Sequence, residues 1–310
     1  MSPYLKAGAA LGALLLLPVT AAQAQEKLTL ERVFASPDLA GPQPRALKLS
    51  PDGKLVTLLK PRADEKERLD LWAIDTATGA ERMAAKYGVT REELARFAYN
   101  SHVNGAAATK AGKFKDEIIP IEVEIEGQKI VHDTDEGIRW EPDYDSMLNL
   151  APLQEGGVIS AAFASQICDG ASAVLVASEA AVKKYGLKPL ARIHTMAVVG
   201  SDPTMVLEGP IPATQKVLEK SGLTIDDMDL YEVNEAFGSV PLAWAKAVGA
   251  DLAKLNVNGG AQALGHPLGA TGSKLAGSLI HELRRRGGRY GLLSICEGLG
   301  TANATIFEII

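Results

Sequence analysis

Apolar and polar positions alternate with a period of two over Leu69-Asp70-Leu71-Trp72-Ala73-Ile74, which predicts a strand with one face covered. Upstream, Ala46-Leu47-Lys48-Leu49 and Leu55-Val56-Thr57-Leu58-Leu59 predict two more strands around the turn Ser50-Pro51-Asp52-Gly53. The cluster Asp75-Thr76-Ala77-Thr78-Gly79 reads as a turn that closes this all-β stretch. The text then changes character. Thr90-Arg91-Glu92-Glu93 opens a helical pattern that runs to about Lys110, with Thr90 as cap and Glu93 completing a capping box. Ile167 to Val176 is a nearly continuous apolar run and predicts a buried strand. From about Pro189 strands and helices alternate, ending in strands around Leu292–Ile295 and Ala304–Ile309, so the fold class is α/β.

The amino terminus departs from this pattern. Lys6, the apolar stretch Ala7 to Val19 and the small-x-small triplet Ala22-Gln23-Ala24 match a secretory signal peptide, with cleavage expected after Ala24 and export to the periplasm or beyond. The stretch is short and broken by Pro18, so it is a poor membrane span. Of the 310 residues, 46% are hydrophobic and 23% charged, with a net charge of −6, which suits a globular protein of one to three domains. That balance gives no electrostatic reason to expect nucleic acid. The basic run Arg284-Arg285-Arg286 with Arg289 falls at a helix end, where it meets the dipole, and a solvated end is the simpler reading. Two cysteines, Cys168 and Cys296, build neither a disulfide framework nor a metal site.

Three segments carry candidate chemistry. His266 lies in the glycine-rich turn Gly265-His266-Pro267-Leu268-Gly269-Ala270-Thr271-Gly272, which leads into a helix and can present an imidazole at a pocket floor. Cys296, in Cys296-Glu297-Gly298, emerges from the strand Tyr290 to Ile295, at the kind of strand end where α/β sites collect. Asn234, in Asn234-Glu235-Ala236-Phe237, ends the strand Leu230–Val233, where a buried amide needs partners. Glu235 and Phe237 admit a structural reading as well. Cys168 reads as a core cysteine.

In order and spacing these segments, with the tail Thr301-Ala302-Asn303-Ala304-Thr305-Ile306, resemble the carboxy-terminal domain of thiolases, which make or cleave the carbon–carbon bond of 3-ketoacyl-CoA. The resemblance runs from about Met83 to Ile310. It implies that His266 activates the acyl-carrying thiol and helps form one oxyanion hole. Cys296 is then the acid/base thiol, the Gly298 N–H serves the second hole, and Asn234 fixes a catalytic water. It also implies that Ser165 and Phe237 line the path of coenzyme A, which is a substrate, with no separate cofactor. The text around Glu232–Trp244 most resembles thiolases acting on bulky, steroid-like chains, in fatty acid or steroid degradation. Family members are usually homo-oligomers.

The same resemblance divides the chain. Residues 1–24 are the signal peptide. Residues 25–83 resemble the opening of a prolyl oligopeptidase-family β-propeller through Leu49-Ser50-Pro51-Asp52-Gly53-Lys54 and Leu69–Trp72, although no Gly-x-Ser-x-Gly elbow occurs. Residues 84–188 are the loop-domain remainder, with Lys115–Ile121 in the insertion over the CoA and the run at 167–176 returning to the first domain. Residues 189–310 are a complete second domain. On this reading the first domain is mostly missing and, with it, the family's nucleophilic cysteine. Impaired acyl transfer is therefore expected, the alternatives being an inactive fusion or truncation product, or a non-catalytic CoA-binding module. An apolar face left open should drive self-association. Thiolase chemistry needs CoA, so a cytoplasmic location is the alternative to export.

Overall fold

The computed structural model describes residues 45–49, 55–61, 69–166 and 168–310. The signal-peptide reading of residues 1–24 and the turn at 50–53 lie outside them. Three strands, β1 (Arg45–Leu49), β2 (Leu55–Pro61) and β3 (Leu69–Asp75), form one sheet in that order, at the positions that the alternation predicts. Residues 73–310 fall within a single compact unit.

The turn expected at Asp75–Gly79 is instead mostly the first turn of a helix, α1 (Thr76–Tyr87). Local propensity lost to packing: Ala80, Met83 and Ala84 on one face of α1 are buried in the main core. Helix α2 (Arg91–Lys110) starts where its cap predicts. The Glu93 N–H donates to Thr90 Oγ1 and the Thr90 N–H donates to Glu93 Oε2. Leu94, Ala95, Ala98, Ser101, His102, Gly105 and Ala106 form its buried stripe. A hairpin, β4 (Ile121–Ile125) and β5 (Gln128–His132), turns through Glu126 and Gly127, both at positive φ. Two short helices follow, α3 (Tyr144–Asn149) and α4 (Glu179–Tyr185).

The remainder is one mixed sheet with helices on both faces. In chain order its elements are β6 (Ala191–Gly200), α5 (Pro210–Ser221), β7 (Leu230–Val233), α6 (Ser239–Val248), α7 (Ala261–Leu264), α8 (Thr271–Arg286), β8 (Tyr290–Cys296) and β9 (Thr301–Ile309). The strands lie in the order β6-β9-β8-β7, with β7 parallel to β8 and the other pairs antiparallel. Successive side chains of a strand point to opposite faces. Tyr231, Leu292 and Ile306 accordingly share a core with Ile211 and Val217 of α5, while Leu230, Leu293 and Phe307 pack with Leu275, Leu279 and Leu283 of α8. The outer edge of β7 is closed by Asn256, whose side-chain amide accepts from the Val233 N–H and donates to the Val233 carbonyl.

Two expectations are corrected. The run from Cys168 to Val176 forms no strand, and Val174, Leu175 and Val176 are exposed, Leu175 by 82%. An apolar run becomes a buried strand only where neighbouring strands take its backbone hydrogen bonds, and among the described residues none pairs with it. Cys168 is correspondingly exposed rather than in the core. The basic helix end is solvent-exposed as expected, with Arg285 and Arg286 paired to the buried Glu282 and Arg289 to Glu308.

Candidate active site

Two adjacent parallel strands end side by side. β7 gives way to Asn234, whose N–H still donates to the Ser294 carbonyl of β8, and β8 itself ends in Cys296. Asn234 is buried, with its side-chain amide between two groups. Its Nδ2 lies 3.3 Å from Nε2 of His266, and the same side chain is near enough to the Cys296 thiol to act on its pKa. The Asn234 Oδ1 atom is buried without a protein partner, an uncompensated acceptor at the centre of the cluster. The structure thus brings His266, Asn234 and Cys296 together. Gly298 follows two residues beyond Cys296, exposed, at the start of the turn Gly298–Gly300 that leads into β9.

His266 is delivered by the loop between α7 and α8. Gly265 sits at φ 80°, in the left-handed region, and an added Cβ there would lie 2.5 Å from Cys168 Sγ. That close approach puts the exposed Cys168 thiol over the residue that precedes His266. The imidazole is half-buried, and its Nδ1 lies 2.6 Å from Thr271 Oγ1 in the first turn of α8. Burial, and then the nearby Lys274 ammonium, hold its pKa below the ordinary histidine value, so it is neutral at pH 7. Burial pushes the Cys296 thiol up to about 11, against the opposing effect of the Asn234 side chain, so Cys296 is protonated at neutral pH.

The expected CoA-contact residues are also neighbours. Phe163–Ser165 runs antiparallel beside Ala236–Gly238: the Ser165 N–H donates to the Ala236 carbonyl and the Gly238 N–H to the Phe163 carbonyl. The next residue, Gln166, accepts from the His266 N–H through its carbonyl, so Ser165 lies along the chain between the contacts to Phe237 and to His266. Glu235 faces away from this cluster. Its buried carboxyl accepts from Ser101 Oγ at 2.8 Å, Asn256 Nδ2 at 2.9 Å and the Gln262 N–H at 3.0 Å, tying α2, the 256 loop and α7 together. Gly260 is required there, since a Cβ would overlap that carboxyl. Glu235 is structural.

Sequence reasoning missed Thr271 and Gln166. Thr271 stood within the glycine-rich motif, five residues after the histidine and on the first turn of the following helix, and that spacing was its signal. Gln166 had none, because its contacts cross long stretches of chain: its side chain donates to the carbonyls of Gly137 and Gln262. Among the described residues no cluster of three His, Cys, Asp or Glu is arranged to hold a metal ion, and no helix is long and apolar enough to cross a membrane.

The family model "Thiolase, C-terminal domain" matches residues 187–309, and "Thiolase, N-terminal domain" matches residues 66–180. The second match begins inside the stretch read as propeller-like, a reading that finds no support, and it counts against the idea that the first domain is mostly missing. Steroid 3-ketoacyl-CoA thiolase FadA6 of Mycobacterium tuberculosis is 54% identical over 230 residues, 74% of this chain and 55% of the relative. The human mitochondrial 3-ketoacyl-CoA thiolase is 45% identical over 233 residues, 75% of this chain and 59% of the relative. The crystal structure of that human enzyme superposes with a TM-score of 0.75 at 44% identity, covering 76% of this chain and 60% of the other. Its complex with CoA gives a TM-score of 0.73 at 44% identity, covering 76% and 59%. This chain therefore spans under two thirds of the length of these relatives.

Proposed function

This chain belongs to the thiolase family, and from that premise we propose that it carries the acid–base steps by which the family makes or cleaves the carbon–carbon bond of 3-ketoacyl-CoA. The observation that carries this reading is the Asn234 side chain, which contacts His266 and acts on the Cys296 thiol at the ends of two parallel strands. His266, neutral at pH 7, is the base that activates an attacking thiol. Cys296, kept protonated by burial, is the acid that delivers its proton to the α-carbon as the carbon–carbon bond breaks. The Gly298 N–H donates to the thioester oxygen as it gains charge. Ser165 and Phe237 receive the CoA arm. The likeness to a steroid 3-ketoacyl-CoA thiolase supports a bulky acyl chain.

The family's covalent route needs a second thiol to carry the acyl group. The second cysteine here, Cys168, lies in an irregular exposed segment rather than at a helix N-terminus. On the main reading, therefore, this chain alone completes no thiolysis. A second reading rests on the approach of Cys168 to Gly265, next to His266, and makes Cys168 the acyl carrier. Thiolysis assays on the chain, Cys168→Ala and Cys296→Ala separate the two. Background rates in all three support the first; turnover lost in Cys168→Ala establishes the second. Turnover lost only in Cys296→Ala points to direct, non-covalent transfer and contradicts both. Two further proposals concern setting: export by the Lys6–Ala24 pattern, with cytoplasmic retention as the alternative that CoA chemistry favours, and self-association through exposed apolar surface.

A further inference from the structure

We propose that Thr271 is a positioning residue that sets the tautomer of His266, holding the proton on Nδ1 and leaving the Nε2 lone pair to face Asn234 and the reacting groups. A chain of hydrogen bonds fixes where each proton sits. As the Asn234 amide is oriented in the structure, Nδ2 faces His266 and offers donors only, so Nε2, 3.3 Å away, accepts. A neutral imidazole has one N–H, so Nδ1 carries it and donates to Thr271 Oγ1 at 2.6 Å. The single hydroxyl proton of Thr271 is then free to go in one direction, to the Pro267 carbonyl 3.0 Å away. The three bonds run one way, from Asn234 through His266 and Thr271 to Pro267, and each supports the next.

The surroundings make the hydroxyl hard to replace. Thr271 is 2% exposed, so water does not compete for its partners. The Pro267 carbonyl also accepts the Ala270 and Thr271 N–H groups, which fixes it as an acceptor at the start of α8. Among the described residues Thr271 is the partner of His266 Nδ1. Without its hydroxyl the imidazole loses the acceptor that makes Nδ1–H favourable, and the Nε2–H form, the commoner one for a histidine side chain in water, takes over. Its N–H would then oppose the Asn234 amide. The bearing on catalysis rests on the acid–base reading above, because a base needs its lone pair on the nitrogen that faces the thiol.

Nitrogen-15 NMR of the histidine side chains in the full chain, at a pH above their titration, reads the tautomer directly. His266 is assigned among the five histidines by comparison with His266→Gln. The expected wild-type pattern is a protonated Nδ1 and an unprotonated Nε2. Thr271→Val, which keeps the shape and removes the hydroxyl, should shift the ratio toward Nε2–H by about fivefold, what one ordinary hydrogen bond contributes. Thr271→Ser should restore the wild-type pattern, with the other histidine signals unmoved in both. A wild-type His266 protonated on Nε2 overturns the proposal whether or not any variant folds, and so does an unchanged tautomer in Thr271→Val. If the tautomer switches as expected while no variant exchanges the α-protons of acetyl-CoA, the Thr271 assignment holds and the acid–base reading fails. Acyl-CoA chemistry with no change of tautomer in Thr271→Val has the opposite meaning.

Discussion

Two apolar runs each carry one of the two cysteines of this chain, and they have different fates. In β8 the residues Gly291 to Ile295 are all buried and Cys296 ends the strand inside the candidate site. In the run that starts at Cys168, every residue through Ser178 is exposed and none is in a strand. Each has an apolar stretch, Leu292, Leu293 and Ile295 in β8 and Val174, Leu175 and Val176 in the other run, so apolar character alone does not separate them. Neighbours do. β8 has β7 and β9 hydrogen-bonded along its two edges and α5 and α8 on its two faces, whereas no strand among the described residues pairs with the other run. An apolar run is a demand for cover, and the rest of the fold decides whether it is met.

The largest expected contrast is in stability. Leu292 is fully buried in β8, and Leu292→Ala should cost ~2–5 kcal/mol through lost transfer energy and the cavity left behind. Leu175→Ala should stay within ~0.5 kcal/mol, as for other surface changes. Urea midpoints of the two variants test this, and equal losses would show that residues 168–178 are buried in solution. Thiol labelling sharpens the same contrast at the two cysteines. With Cys296 pushed up to about 11, roughly one molecule in a thousand carries its thiolate at pH 8, so the exposed Cys168 should label over ~100-fold faster. Similar rates would place the two thiols in similar settings.

A smaller effect lies beside β8. Glu232 of β7 is buried among Glu235, Glu117 and Glu282, and burial raises its pKa well above the ordinary 4.5. Between those two values the folded chain holds a proton that the unfolded chain has released, so stability falls as pH rises through that window. Glu232→Gln should flatten that fall and leave the variant more stable than wild type at pH 8; equal slopes in pH-dependent urea unfolding would reject the assignment. The weakest effect expected is on association. Replacing Val174, Leu175 and Val176 together by Ser should reduce self-association in sedimentation, and a wild-type chain that is already a clean monomer would remove its basis.

What the sequence disclosed follows the same division. The Thr90–Glu93 capping box, the β7–β9 strands and the helix after the glycine-rich turn were legible because their signals are local and the chain itself supplies their cover. The helix at Thr76–Tyr87 was not, because a turn-forming cluster masked a face that only packing reveals. At the site, the motifs marked His266, Asn234 and Cys296 as candidates, but neither the link through Asn234 nor the Thr271 contact follows from spacing alone. Glu235 is the converse. It stands inside a motif next to Asn234, yet the alternation of a strand exit turns it to the opposite side, where it binds Ser101, Asn256 and Gln262.

The central claim is that Cys296, His266 and Asn234 form a working acid–base site in this chain. Solvent-deuterium incorporation into the methyl group of acetyl-CoA, followed by NMR, tests it without requiring an acyl carrier, because it needs only removal and return of an α-proton by Cys296. The account predicts catalysed exchange that keeps rising with pH toward about 11 and is lost in Cys296→Ala and Asn234→Ala. Exchange no faster than in buffer, or exchange indifferent to Cys296→Ala, would contradict it.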